Sequence, residues 1–343
     1  MLRKRIVIHA GSHKTGSSAI QRYLFERQHE IEGLAYLCRA ERPNSSLWML
    51  QAFKQDVAEL PAFRHRQLTA DEVEVKRRRA QAQLTKLASA VTAPLTILSA
   101  ESIGTFNSEE LQSLRDVLAP HFDDISLHQY FRPLKARMES AFQEKLKHTA
   151  ASLMQTYRLA YCRTIELQDA VFGAEQVISY KYDEALFPQG DVVLDFLAQL
   201  GVTAPQAQPA RPVNVSLSLH AIQLLYVYRR YYTTPCAQDK AVVRRLKALP
   251  GPPLRFHSEL YRQLVVIRPG EVERFEQRAG FSVEQDVTAD DELGIRDPQD
   301  LLTIPAVSLA WLQQQVGGAP VAATDYRAIA DAVAALAGME GQA

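Results

Sequence analysis

Ile6-Val7-Ile8-His9-Ala10-Gly11-Ser12-His13-Lys14-Thr15-Gly16-Ser17-Ser18 reads as a buried strand (Ile6–Ala10), a loop of small residues and the start of a helix. Beyond it, Ile20, Tyr23 and Leu24 recur at helical spacing through Gln28. A helix N-terminus leaves amide N–H groups unpaired and carries partial positive charge. A glycine-bearing loop lets the backbone curl around an anion, so strand, loop and helix together form a phosphate cradle. Lys14 adds a full positive charge, and Ser17 and Ser18 add hydroxyl donors. The plain alternative is an ordinary strand-to-helix turn with an exposed lysine.

The same alternation continues downstream. Leu95–Ala100, Ile125–Phe131 and Val177–Tyr182 read as strands. Leu111, Leu114 and Leu118 mark one face of a helix from about Ser108, with Asn107 and Glu110 spaced for its N-terminus. Pro133 falls in the first turn of the helix after Phe131. Asp191–Leu200 is a helix stopped by Gly201. Repeated strand-helix units predict an α/β fold with a parallel sheet and helices on its faces. Residues 50–92 show no clear strand and much charge, including Lys76-Arg77-Arg78-Arg79. That run is either a solvated helix face or a gate over an anionic ligand. Residues 203–212 read as a connector, a helix follows over about Ser218–Tyr232, and the Ala-rich tail from Asp331 is expected to fray.

Composition excludes several classes. The 343 residues carry 39 Lys+Arg against 39 Asp+Glu, so a general nucleic-acid binder or polybasic membrane protein is disfavoured. Cys38, Cys162 and Cys236 form no zinc spacing and predict a reduced compartment. No apolar run approaches the roughly 18 residues of a membrane span, and the basic N-terminus is not followed by a signal-type apolar region. The expectation is a cytoplasmic protein.

The loop is not a Walker A motif, because Lys14 precedes Gly16 by two residues and no Ser/Thr follows a Gly-Lys pair to hold magnesium. Lys14-Thr15-Gly16-Ser17-Ser18 instead resembles the 5′-phosphosulfate loop of sulfotransferases that use 3′-phosphoadenosine 5′-phosphosulfate (PAPS), in their bacterial and carbohydrate branch. Gln21 and Leu24 fit as well. A second match lies at Arg132, where a strand ends, and Ser140, about two helical turns on. In that family this pair holds the nucleotide's 3′-phosphate; alone, it could be a capping arginine and a packed serine. A third, shorter match is Arg211, Asn214 and Ser216, which the resemblance assigns to closing over the nucleotide. Ser216 or Ser218 could equally cap the next helix. The Arg-Lys-Gly closing motif of animal cytosolic members is absent.

The resemblance covers about residues 5–220. It implies a P-loop-NTPase-like three-layer fold with a central mostly parallel sheet plus helical additions. One sulfotransferase-like domain would span 1–343, with 1–220 as nucleotide-binding core and a mainly helical 221–343 on the acceptor side. It also implies that Gly11, Ser12, His13, Lys14, Thr15, Gly16, Ser17 and Ser18 hold the 5′-phosphate, that Lys14 stabilises the leaving oxygen, that 3′-phosphoadenosine 5′-phosphate (PAP) is the product, and that no metal is needed. For a general base, Glu101 is preferred because it follows a strand at the carboxyl edge of the sheet. A helix-capping or ion-pairing Glu101 is the alternative, and His13 and then His128 are the runners-up. The acceptor would be a hydroxyl-bearing small molecule, glycan, lipid or peptide, or an amine, met by residues within 40–80 and 220–320. The tyrosines Tyr226, Tyr228, Tyr231 and Tyr232 fit packing better than a sugar platform. A kinase using ATP and magnesium, and a nucleotide-binding protein without transfer activity, are the rival functions.

Overall fold

The computed structural model describes residues 3–11, 14–40, 42–60, 63, 67–203, 216–318 and 320–339. The chain runs β1 (Arg5–His9), α1 (Ser17–Arg27), β2 (Leu34–Tyr36), α2 (Ser46–Phe53), α3 (Ala70–Ala90), β3 (Leu95–Ser99), α4 (Ser108–Leu118) and β4 (Asp124–Phe131). It continues with α5 (Leu134–His148), β5 (Tyr157–Arg158), α6 (Tyr161–Phe172), β6 (Val177–Lys181), α7 (Val192–Gln199), α8 (Leu219–Tyr231) and α9 (Asp239–Leu246). Last come α10 (Ser258–Leu264), β7 (Val265–Val266), α11 (Glu271–Ala279), α12 (Ala306–Val316) and α13 (Tyr326–Ala335).

The chain forms two compact units that interleave along the sequence. The first holds residues 1–132, 160–213 and 269–283; the second holds 133–159, 214–268 and 284–343. The expected division at residue 220 is a single cut, whereas the units exchange chain at several points.

The first unit is built on a five-stranded sheet in the order β2-β3-β1-β4-β6, every pair parallel. Strand side chains alternate between faces, and β1 shows why both faces are apolar. Ile6 and Ile8 pack with α2, α3, α4 and α6, while Val7 packs with α1 and α7. The three-layer α/β arrangement expected from the sequence is therefore present. The β1 and β3 strands are neighbours, yet α1 and α4 that follow them lie on opposite faces. Such a divergence opens a crevice at the carboxyl ends of the strands.

Local signals set the element ends. Asn107 and Glu110 form the expected reciprocal cap of α4. Thr69 and Glu72 do the same for α3, whose 21 residues fill about half of the charged stretch. Gly201 follows α7 at φ 69, where a side chain would be strained. Two readings need correction. Pro133 is the N-cap of α5 rather than a residue of its first turn. The tail does not fray at Asp331, because Val333 in the last helix and Leu336, which caps it, are fully buried; residues 340–343 lie outside the described residues. Leu34–Tyr36 is a strand that three residues were too few to announce.

The second unit is mainly helical, with a two-stranded parallel pair, β5 with β7. Tyr228 there is buried, donates to Asp239 and stacks on the half-buried Tyr232, so these two pack, whereas Tyr231 is exposed. Among the described residues no helix is long and apolar enough to cross a membrane.

Candidate functional site

The crevice at the ends of β1 and β3 is where the loop lies. Lys14 has φ 71 and Gly16 φ 73, both in the left-handed region. That conformation costs a lysine about 1–2 kcal/mol and glycine nothing comparable. Gly16 is the N-cap of α1, and its carbonyl accepts from Ala19 and Ile20. No side chain among the described residues caps this end. The first-turn N–H groups of Ser17 and Ser18 have no preceding carbonyl within the helix. A side chain at Gly16 would come within 2.5 Å of Val192, so the start of α7 forms a wall of the loop.

Ser17 is the most telling residue. It is buried, its Oγ has no hydrogen-bond partner among the described residues, and Oγ points to Gly11, where any side chain would collide with it. A buried hydroxyl without a partner is costly. Thr15 is also buried, Lys14 is half-buried and Ser18 is exposed. Ser12 and His13 lie outside the described residues.

Three further groups converge on the loop. Arg132, at the end of β4, donates from Nη1 to the Lys14 carbonyl at 3.1 Å and lies over the Tyr182 ring at 5.2 Å. Tyr161 fixes its backbone by donating to the Arg132 carbonyl at 2.7 Å. Glu101 opens a 3-10 turn directly after β3, and its Cγ would be 3.1 Å from a Cβ at Gly11. Gly104, in the same turn, would place a Cβ 3.2 Å from the Gly11 carbonyl oxygen. So β3 delivers a half-buried carboxylate to the loop that β1 delivers, as its strand-end position suggested.

The other expected residues are placed as follows in the chain. Ser140 lies on α5, in the second unit. Ser216 is exposed, while Arg211 and Asn214 lie outside the described residues. Ser218 caps α8, accepting from the Ala221 N–H at 3.1 Å. His128 is buried, its ring nitrogens held by Ser126 at 3.0 Å and Tyr180 at 2.8 Å, and burial pushes its pKa down to about 4.

Sequence reasoning missed a polar layer beneath the loop. His9 Nδ1 meets Ser99 Oγ at 2.8 Å, and Gln21 donates to the same Oγ at 3.2 Å. Burial first, then His128, lowers the His9 pKa to about 3, so the ring is neutral. On β4, Gln129 accepts from Gln168 at 2.6 Å and reaches toward Gly104. Polar residues at strand ends in otherwise apolar runs were the available signal, and so was the glycine three positions after Glu101. Among the described residues no group of His, Cys, Asp or Glu is arranged to hold a metal ion.

No family model matches the chain. A curated protein of Archaeoglobus fulgidus, described as uncharacterized, is 28% identical over 126 residues, 36% of this chain and 34% of that one. The match thus spans about a third of that relative's length. A solved structure described as a sulfotransferase from Alicyclobacillus acidocaldarius is similar at 18% identity and a TM-score of 0.37, over 61% of this chain and 88% of that one. A likeness of that degree carries no argument; what the chain can do has to be read from its own residues.

Proposed function

We propose that this protein is a sulfotransferase, moving a sulfuryl group from PAPS to a hydroxyl or amine of an acceptor. The observation that carries the reading is the Ser17 hydroxyl, buried and without a partner among the described residues, against Gly11 at the N-terminus of an eleven-residue helix, beside Lys14. A hydroxyl left in that state at a helix N-terminus suits an anion. The sequence Lys14–Ser18 names which anion, through its resemblance to the 5′-phosphosulfate loop.

In this reading Gly11, Thr15, Gly16, Ser17 and Ser18, with Ser12 and His13, hold the 5′-phosphate. Arg132 and Ser140 hold the 3′-phosphate, and Arg211, Asn214 and Ser216 close over the nucleotide. Glu101 takes the proton of the acceptor as its oxygen or nitrogen bonds to sulfur. Lys14 meets the charge that the departing phosphate oxygen gains as its bond to sulfur breaks. Fixed charge aimed at a developing charge is a large catalytic effect. Each role is filled without a metal.

The test is thermal unfolding with PAP in the absence of metal. At one hundred times its dissociation constant PAP should add about 2.7 kcal/mol of stability. Stabilisation only by ATP with magnesium would instead mark a kinase. Lys14→Ala should lower transfer from labelled PAPS at least ~100-fold with the fold unchanged, since alanine is as strained at φ 71 as lysine. Glu101→Gln should lower turnover ~100-fold or more while PAP binding holds; equal losses in both would make Glu101 structural.

A further inference from the structure

The basic run on α3 divides in the structure. Arg77 and Arg78 pair with Glu74 at 3.1 and 2.8 Å, as on a solvated helix face. Arg79 is exposed and has no carboxylate partner among the described residues. Trp48 brings it to a second arginine. The indole Nε1 donates to the carbonyl of Ala80 at 3.1 Å, and the Arg39 guanidinium lies 5.1 Å from the Trp48 ring centre. A turn adds a third, the Arg42 N–H donating to the Arg39 carbonyl at 3.1 Å.

Arg39 carries the mark of this crowding. Its pKa is lowered, by burial first and then by Arg42 and Arg79. Its Nε is buried with no hydrogen-bond partner among the described residues. Three cations gathered with no carboxylate partner among the described residues, outside which Glu41 lies, repel one another, and a buried donor without a partner costs about 1–3 kcal/mol. An entering anion relieves both.

The cluster also sits at the right level of the sheet. Arg39 and Arg42 follow β2, which runs parallel to β3 and β1 and so ends on the same edge. From Arg79 to the end of α3 at Ala90 the helix rises about 16 Å at 1.5 Å per residue. A five-residue strand such as β3 climbs about the same distance in the opposite sense.

We propose that Arg39, Arg42 and Arg79 form an anion subsite for the acceptor, so that the acceptor is a hydroxylated molecule already bearing a carboxylate or sulfate. An arginine fork binds two oxygens of such a group at once. The inference rests on the sulfotransferase reading and specifies the substrate class it left open.

Titration calorimetry on the full chain tests it, with a glucuronate-containing disaccharide and the same disaccharide reduced to the neutral sugar. The charged form should bind about tenfold tighter, some 1.4 kcal/mol. Arg42→Gln with Arg79→Gln, both at exposed positions, should bring the ratio to within about twofold, and PAP affinity should not change. Arg39→Gln repeats the test from the half-buried member. Equal affinities in the unaltered protein, or a preference that survives these substitutions, would overturn the subsite. A preference that survives in a protein unable to bind PAP would keep the subsite and sink the sulfotransferase reading.

Discussion

Arg229 in the second unit and Arg39 in the first are both arginines drawn under the surface, and their surroundings are opposites. Arg229 is 1% exposed, and its charge is met by a buried carboxylate and two backbone carbonyls, although Nη1 makes no hydrogen bond among the described residues. Nη1 forms a close ion pair with Asp239 at 2.8 Å, Nε donates to Leu146 at 3.1 Å, and Nη2 donates to Lys147 at 2.6 Å. Arg39 has a tryptophan ring, two like charges and no carboxylate partner among the described residues. The first arrangement is balanced in charge and serves the fold. The second is complete only with something added. The cradle follows the second pattern too, with its unpartnered Ser17 hydroxyl and its lysine held at φ 71.

Substitution should separate the two patterns. Arg229→Met leaves Asp239 buried without its cation, and loss of one partner of a buried pair costs about 3–5 kcal/mol. Chemical denaturation should show it, and Arg39→Met should cost far less or nothing. Equal losses would mean that both arginines are structural. Gly11→Ala comes next. The added carbon must displace Ser17 and press on Glu101, and such overpacking costs about 1–3 kcal/mol. Its larger expression should be lost PAP binding, with Ser17→Gly in the same chain restoring stability but not affinity. The gentlest probe is acid. His9 and His128 have folded pKa values of about 3 and 4, below the unfolded value near 6.5. The unfolded chain therefore takes up protons first as pH falls. Stability should be full above about pH 6.5 and drop toward pH 4, by up to ~1.4 kcal/mol per unit for each histidine. His128→Gln should shallow that slope, and an unchanged slope would remove His128 from the account.

What could be read from the sequence follows from how local each signal is. The cradle lies within thirteen consecutive residues, so strand, glycines, lysine and helix start were legible together. Glu101 needed only the strand before it. The interleaving of the units was not legible, because it depends on where residues 133–159 and 269–283 settle after leaving their neighbours. The arginine subsite was half legible. Residues 76–79 stood out as a run, but which member faces an anion depends on Glu74 one turn away and on Trp48 far off in sequence. The His9–Ser99–Gln21 layer joins three elements and no spacing rule announces it.

The close fit between residues 11 and 17 has a use in sorting sequences. The hydroxyl of Ser17 occupies the space that a side chain at position 11 would need. The two positions are thus readable as one character. A relative that keeps glycine at the first and a hydroxyl at the second has kept the means to hold an anion. A relative with a side chain at the first, or none at the second, has kept the strand and helix for their architecture alone. Two letters of sequence would then separate descendants that retained the chemistry from those that retained only the scaffold.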